Sequence, residues 1–289
     1  MPKLTEIIKE KKFIITLELD PPREPTLNGL IENVKRFEGY VDAVNVSDRK
    51  SFLMNSMFVA SKIKKLTKME GIFHLCCRDC NKRSIHSILL AAAADELKNI
   101  LALSGDKSSR KEQKQSKDVF DYVDSIELIK AIKNMNEGVY PNNEEGEKTD
   151  FCIGAAGYPS SPNLEMEIQR LVEKVDSGAE FIQTQPIYSA TRFLEYLDAT
   201  HESGTMVPTL PGMLPLKSRR HALLLEKILG IKISDAIKKR MFGKDVEEGL
   251  NILKEVFCEI KKEIVGVHVY SIGDINLALS VVKLLDSVG

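Results

Sequence analysis

The sequence predicts an α/β protein, a closed (β/α)8 barrel. Three features of its 289 residues predict it. Eight short apolar, β-rich runs recur along the chain, and helical patterns lie between most of them. Each run is separated from the next by enough residues for the crossover that parallel pairing requires. The total length also suits this barrel, whose usual size is about 250 residues. A doubly wound open sheet would use the same alternation, but usually with fewer strands.

The elements follow in order. Leu4, Ile7 and Ile8 form one apolar stripe in a short N-terminal amphipathic helix. The first strand, Phe13–Leu19, stops at Pro21 and Pro22, and Leu27, Leu30, Ile31, Val34 and Phe37 then recur at helical spacing. Further strands are expected at Ala43–Val46, Gly71–Cys77, Asn99–Ser104, Phe151–Gly157, Phe181–Ile187, Val207–Leu214 and Val265–Ser271. Helical patterns cover 55–66, 83–97, 125–135, 164–177, 191–200, 218–229 and 274–286. Extra helices, roughly 233–241 and 244–263, precede the eighth strand. Lys107–Lys117 and Gly138–Asp150 are polar and read as surface excursions, so residues 1–289 are expected to form one domain.

Composition excludes several classes. With 41 basic and 42 acidic side chains, the formal charge of −1 gives no electrostatic reason for nucleic-acid or anionic-membrane binding. The longest apolar stretches, such as Ile88–Ala94, fall far short of the roughly 20 residues of a membrane helix. Residues 1–12 lack the apolar core of a signal peptide, and the five cysteines do not suggest a secreted disulfide framework. A cytoplasmic protein is expected.

In such a barrel the chemistry gathers at the carboxyl ends of the strands. Glu18 lies in register with Ile14 and Thr16, one residue from the end of the first strand. Facing the helices, it would bury an unpaired charge, so the barrel mouth is the expected position. Partial desolvation there suits a carboxyl to general acid work, though a Glu paired with a nearby Lys or Arg would have the same sequence. The fourth strand ends Leu103-Ser104-Gly105-Asp106. Glycine would allow close ligand approach there and place Asp106 over the mouth, but Gly-Asp is also a common turn. Gln183 and Gln185 end the sixth strand, where two amides can pair with a heterocycle or satisfy loop backbone. His74 inside the third strand reads more readily as a satisfied core histidine than as a ligand.

Cys76, Cys77 and Cys80 form a CC-x-x-C run, but no second CxxC supplies a complete zinc or iron–sulfur set. No metal site is expected, and the thiols read as buried. Neither a Gly-x-Gly-x-x-Gly fingerprint nor a P-loop occurs. The residues alone therefore give a barrel enzyme with Glu, Asp and Gln at its mouth and no visible substrate.

Seven strand-end segments, taken in order, resemble the methylenetetrahydrofolate reductase family along nearly the whole chain. They are LELDPPR at 17–23, HLCCRD at 74–79, ILALSGD at 100–106, AAGYPSSP at 155–162, KVDSGAEFIQTQPIY at 174–188, PGMLPL at 211–216 and GVHVYS at 266–271. The resemblance implies a barrel that binds flavin, FAD in preference to FMN, and reduces 5,10-methylenetetrahydrofolate to 5-methyltetrahydrofolate. NADH, NADPH or an electron-transfer partner subunit would supply the electrons, and a homo-oligomer or a one-carbon partner is compatible with it. By the same resemblance, Glu18 is the acid that opens the folate ring, and Asp106 is the acidic residue beside flavin and pterin. Gln185 contacts the folate, with Ile272 and Arg219 at further substrate positions. Ser47, His74, Ser104, Gly105, Tyr158, Glu167, Lys174 and Ala179 fall at flavin-lining positions.

The chain also departs from the family pattern. Ser104 and Glu173 stand where some members carry basic residues, and Arg219 stands where an aromatic stacks on substrate in some. The implied form is the short one, without the C-terminal regulatory domain of longer eukaryotic members. The two missing cations keep an alternative open: a non-catalytic folate-binding or scaffold subunit of a one-carbon complex.

Overall fold

The computed structural model describes residues 2–11, 13–48, 52–78, 80–105, 118–141 and 144–288. Eight parallel strands close a barrel in chain order: β1 (Ile14–Leu19), β2 (Ala43–Val46), β3 (Glu70–Cys76), β4 (Asn99–Leu103), β5 (Cys152–Gly157), β6 (Phe181–Pro186), β7 (Thr209–Met213) and β8 (Gly266–Tyr270). The described helices are α1 (Leu4–Glu10), α2 (Asn28–Lys35), α3 (Ser56–Leu66), α4 (Lys82–Ala94), α5 (Ser125–Asn136), α6 (Leu164–Asp176), α7 (Ala190–Glu202), α8 (Arg219–Leu229), α9 (Asp235–Arg240), α10 (Val246–Ile260) and α11 (Ile275–Val288). The predicted barrel, its N-terminal helix and the extra helices before the last strand are all present. The seventh strand begins later than its apolar run because Pro208 has no N–H for the ladder; its carbonyl instead accepts from Ile182.

Strand alternation sorts the side chains into two layers. Leu17, Val44, Phe73, Ile100, Ile153 and Val267 face outward and pack with helix residues such as Val34, Ile63, Leu89, Ile132, Leu171 and Val282. Ile14, Ala43, Ile72, Leu101, Cys152, Phe181 and Leu210 face inward at the amino end. Gly154 makes room for Phe181 there, since a Cβ on it would lie 2.2 Å from the ring. The same inner cluster takes in Leu4, Ile7 and Ile8, so α1 closes the bottom of the barrel. The Leu4 N–H donates to Asn99 Oδ1 at 2.7 Å, fixing the helix start to β4.

Most loops that leave the carboxyl ends of the strands finish on a capping side chain. Asn55, Asn81, Asp124, Asn163, Ser189 and Ser218 each accept a hydrogen bond from the first turn of the following helix. These caps hold the loops that frame the mouth. Among the described residues no helix is long and apolar enough to cross a membrane.

Candidate active site at the barrel mouth

Above the apolar bottom, the barrel interior turns polar. Thr16 and Glu18 follow Ile14 on the inward face of β1, and the ladders set Thr16 opposite His268 and Glu18 opposite both Asn45 and Tyr270. Asn45 Nδ2 donates to Gln183 Oε1 at 2.7 Å, and Gln183 Nε2 donates back to Asn45 Oδ1 at 3.1 Å. Gln183 Nε2 also reaches Thr16 Oγ1 at 3.1 Å, and that hydroxyl lies 2.9 Å from His268 Nδ1. His74 Nε2 is 3.1 Å from Asn45 Nδ2. Each group is buried, and each has a partner. An unpaired one would cost about 1–3 kcal/mol, so the network is specified as a unit. It forms a floor across the barrel.

Glu18 stands on this floor. Its side chain is 13% exposed, and Oε2 lies 3.6 Å from His268 Nε2 and 3.9 Å from His74 Nε2. The carboxyl is therefore flanked by two imidazoles. Tyr270 packs its ring edge-on against His268 at 4.6 Å and donates its hydroxyl to Thr184 O at 2.9 Å. Burial, and then the charge of Glu18, push the Tyr270 phenol well above its ordinary range, so it stays a neutral donor. Gln185 follows Gln183 by two residues on β6, and its Oε1 is buried with no partner among the described residues. That orphaned acceptor is available to a ligand N–H.

The expected flavin positions cluster at neighbouring strand ends. Ser47 follows β2, where its hydroxyl donates to Asp20 at 2.6 Å, and the His74 side chain on β3 belongs to the floor. Ser104 and Gly105 follow β4; the Ser104 hydroxyl accepts from the Ser125 N–H at 2.9 Å. Gly105 has φ +76°, and a Cβ there would lie 2.8 Å from Arg78 Cβ. At the end of β5, Glu167 Oε1 accepts the Tyr158 N–H at 2.9 Å, and Lys174 Nζ donates to Ala156 O at 2.7 Å. Burial lowers the Lys174 pKa while Glu167 opposes the shift, and burial raises Glu167 against the pull of Lys174. A buried cation at a strand end, a glycine that brings backbone close and an orphaned amide oxygen suit a flat heterocycle carrying an anionic tail. The donor set fits a flavin.

Two expected residues, Ala179 and Arg219, stand apart. Ala179 is 4% exposed and precedes β6, at the amino end of the barrel, where its N–H closes α6 on Lys174 O. It packs in the outer core and does not line the mouth: neighbouring Lys174 in sequence, it lies a helix end away from the site. Arg219 opens α8 with its guanidinium over the Phe242 ring, 5.7 Å from the centroid, in a hollow between α8 and α9. Asp106 and the Lys107–Lys117 excursion lie outside the described residues. Ile272 does follow β8 at the mouth, 38% exposed and with φ +42°. For a β-branched residue that conformation costs on the order of 1–2 kcal/mol, a local strain of the kind found where ligands are gripped.

Of the CC-x-x-C thiols, Cys76 and Cys77 are buried and Cys80 is partly exposed. Cys76 faces the barrel interior while Cys77 faces the outer core and donates to Asp124 O at 3.2 Å. Burial, reinforced by Asp48, pushes Cys76 well above the normal thiol range; burial, reinforced by Asp124, pushes Cys77 up to about 12. No group of three or more metal-ligating side chains occurs among the described residues. At pH 8 a thiol with that pKa is thiolate to roughly one part in ten thousand. Iodoacetamide is therefore expected to modify exposed Cys258 first and to leave Cys76 and Cys77 unmodified until the protein unfolds, as peptide mass mapping would show. Modification of Cys77 in the folded protein at the rate of Cys258 would contradict this picture.

Sequence reasoning missed Thr16, Asn45, His268 and Tyr270. The local signal is slight: Asn45 in Ala43-Val44-Asn45-Val46, and His268 with Tyr270 in Gly266-Val267-His268-Val269-Tyr270, share the alternate places that Ala43 and Gly266 begin. In a barrel, that pattern marks inward positions near the mouth.

Residues 3–287 match the family model described as methylenetetrahydrofolate reductase. Methylenetetrahydrofolate reductase 1 of Schizosaccharomyces pombe is 28% identical over 233 residues, covering 77% of this chain and 36% of that protein. The chain thus spans little more than a third of that relative's length. The 5,10-methylenetetrahydrofolate reductase of Salmonella typhimurium is 22% identical over 289 residues, covering 94% of this chain and 90% of that one. Among solved structures, an uncharacterized Clostridium thermocellum protein, described as binding two copies of 5-methyl-5,6,7,8-tetrahydrofolic acid, superposes with a TM-score of 0.71. It shares 16% identity, with 99% of each chain covered.

Proposed function

The chain belongs to the methylenetetrahydrofolate reductase family, and we propose that it reduces 5,10-methylenetetrahydrofolate to 5-methyltetrahydrofolate with a bound flavin, FAD in preference to FMN. The observation that carries the reading is Glu18, an inward carboxyl 3.6 and 3.9 Å from two histidines and opposite Asn45, in a barrel whose sixth strand ends with the unpartnered Gln185 Oε1. One barrel holds both cofactor and substrate in this reading. The Clostridium thermocellum neighbour, which binds a methylated folate, makes the folate class the natural substrate.

Gly105, Tyr158, Lys174 and Ser47 would hold the flavin, which supplies a hydride when reduced by NADH or NADPH. Asp106 keeps the role beside flavin and pterin that the resemblance implies. The rest of the chemistry belongs to side chains. Glu18 delivers a proton to N10 of the folate as its five-membered ring opens, leaving a cation at N5 and the methylene carbon, which the hydride then neutralises. His268 and His74 flank the carboxylate that remains, with ring nitrogens 3.6 and 3.9 Å from Oε2. Gln185 Oε1 accepts from the pterin edge and fixes its orientation.

The purified protein is expected to absorb as a flavoprotein. Under anaerobic conditions NADH or NADPH should bleach the flavin, and methylenetetrahydrofolate should restore its colour. Colourless protein that binds folate and cannot be reconstituted with FAD or FMN would replace this reading with the non-catalytic folate-binding subunit.

A further inference from the structure

Strand β6 carries one residue more than the ladder to β7 can pair. Ile182 and Gln183 pair with Thr209 and Leu210, but Pro186 pairs with Gly212, so the step from Gln183 to Pro186 on β6 matches the shorter step from Leu210 to Gly212 on β7. Thr184 and Gln185 therefore form a bulge, a device that redirects a side chain and recurs beside active sites. Gln185 is the residue whose buried Oε1 has no partner among the described residues.

Side chains hold this bulge in place. The Gly212 N–H donates to Thr184 Oγ1 at 3.0 Å, so a hydroxyl takes the place that a backbone carbonyl fills in a regular ladder. The same hydroxyl donates to Gln185 O at 2.8 Å. Thr184 O accepts the hydroxyl of Tyr270 at 2.9 Å, although Tyr270 belongs to β8, on the far side of β7. Gly212 leaves the room for this on β7: a Cβ there would lie 2.6 Å from Thr184 O and 2.7 Å from Gln185 O. Thr184 itself has no exposed surface.

These bonds fall on both sides of one Cα. The peptide before Gln185 is held through Thr184 O by Tyr270, and the peptide after it is held through Gln185 O by Thr184. Pro186 narrows the remaining freedom, since a residue before proline keeps to extended conformations. Each peptide is planar, so two fixed planes set the direction of the Cα–Cβ bond between them.

We infer that Thr184 and Tyr270 are positioning residues, which together aim the Gln185 carboxamide at the ligand in the mouth. The inference rests on reading the mouth as a folate site. Tyr270 also stands opposite Glu18 on the β1–β8 ladder, so the residue that steadies the amide is the cross-strand neighbour of the acid.

The test is calorimetric titration of the full chain with 5-methyltetrahydrofolate. Thr184→Val keeps the side-chain shape and removes the hydroxyl; Tyr270→Phe keeps the ring and removes the donor. Each is expected to weaken binding about three- to tenfold, whereas Thr184→Ser, which restores a hydroxyl, should stay within about twofold of the native protein. If both act through Gln185, neither should weaken binding further in a Gln185→Ala background. Thr184→Val strands the Gly212 N–H, so Tyr270→Phe, which leaves that bond intact, carries the test if the first variant does not fold. Native affinity in the folded variants, or losses that persist in full in the Gln185→Ala background, would overturn the inference.

A measurement without ligand separates this inference from the proposed substrate. In 15N-labelled protein the Gln185 carboxamide signals are identified by their absence from Gln185→Ala. They are expected to keep their native position in Thr184→Ser and to narrow or split in Tyr270→Phe, as the side chain samples other directions. Unchanged signals in Tyr270→Phe would overturn the inference whether or not folate binds. Signals that respond in a protein that binds no folate keep the positioning role and remove the proposed substrate.

Discussion

Replacing Glu18 by Gln is expected to slow the reduction of methylenetetrahydrofolate by roughly two to four orders of magnitude, the usual range for loss of a general acid. Gln keeps the shape of Glu and can still lie between His74 and His268, so the floor beneath it should survive. Only the transferable proton is lost. Reduction of the flavin by a nicotinamide donor involves no ring opening and should proceed at its normal rate in the variant. Stopped-flow measurement of the two half-reactions separates these outcomes. Folate turnover within a factor of three of the native protein would remove Glu18 from the acid role, and loss of both half-reactions would make it a structural residue.

The second large effect lies at the other end of the barrel. Leu4 has no exposed surface and fills the space among Ile14, Ile72, Leu101 and Phe181. Leu4→Ala should destabilise the fold by about 2–5 kcal/mol, the span for a buried leucine that leaves a cavity, because rigid strands surround the site and cannot collapse into it. Chemical denaturation should show a lower midpoint with an unchanged slope. At temperatures where the variant stays folded, the kinetics of both half-reactions should match the native protein. A barrel separates residues that stabilise, at its amino end, from residues that react, at its carboxyl end. A changed rate with unchanged stability would show that α1 communicates with the mouth.

Much of this architecture is legible in the sequence because each barrel strand is buried on both faces. Asn99–Ser104 and Phe151–Gly157 therefore read as nearly unbroken apolar runs bounded by loops, and the strands fall within a residue or two of those bounds. Glu18 is legible for the opposite reason, as a charge that a strand interior cannot hold without a purpose. Asn45 and His268 are not, because a single neutral polar group in an apolar run also suits a satisfied core. Their role comes from convergence, with β2, β6 and β8 meeting on one floor, and no local pattern encodes which strands face each other across a barrel. Ala179 and Arg219 show the converse. Each stands close in sequence to residues at the site, yet one ends against the outer core and the other turns toward Phe242.

The interlocked amides and imidazoles beneath Glu18 have one more consequence. Thr16, Asn45, His74, Gln183 and His268 are bonded to one another, and Leu4, Ile7 and Ile8 pack into the core below them, so protein side chains fill the barrel beneath the acid. A proton that the carboxyl gives up is then restored from the mouth side, where the proposed pterin would sit. On the proposed chemistry, the acid is reloaded only after product leaves, so recharging is coupled to release and a lingering product would silence the enzyme without touching its hydride donor.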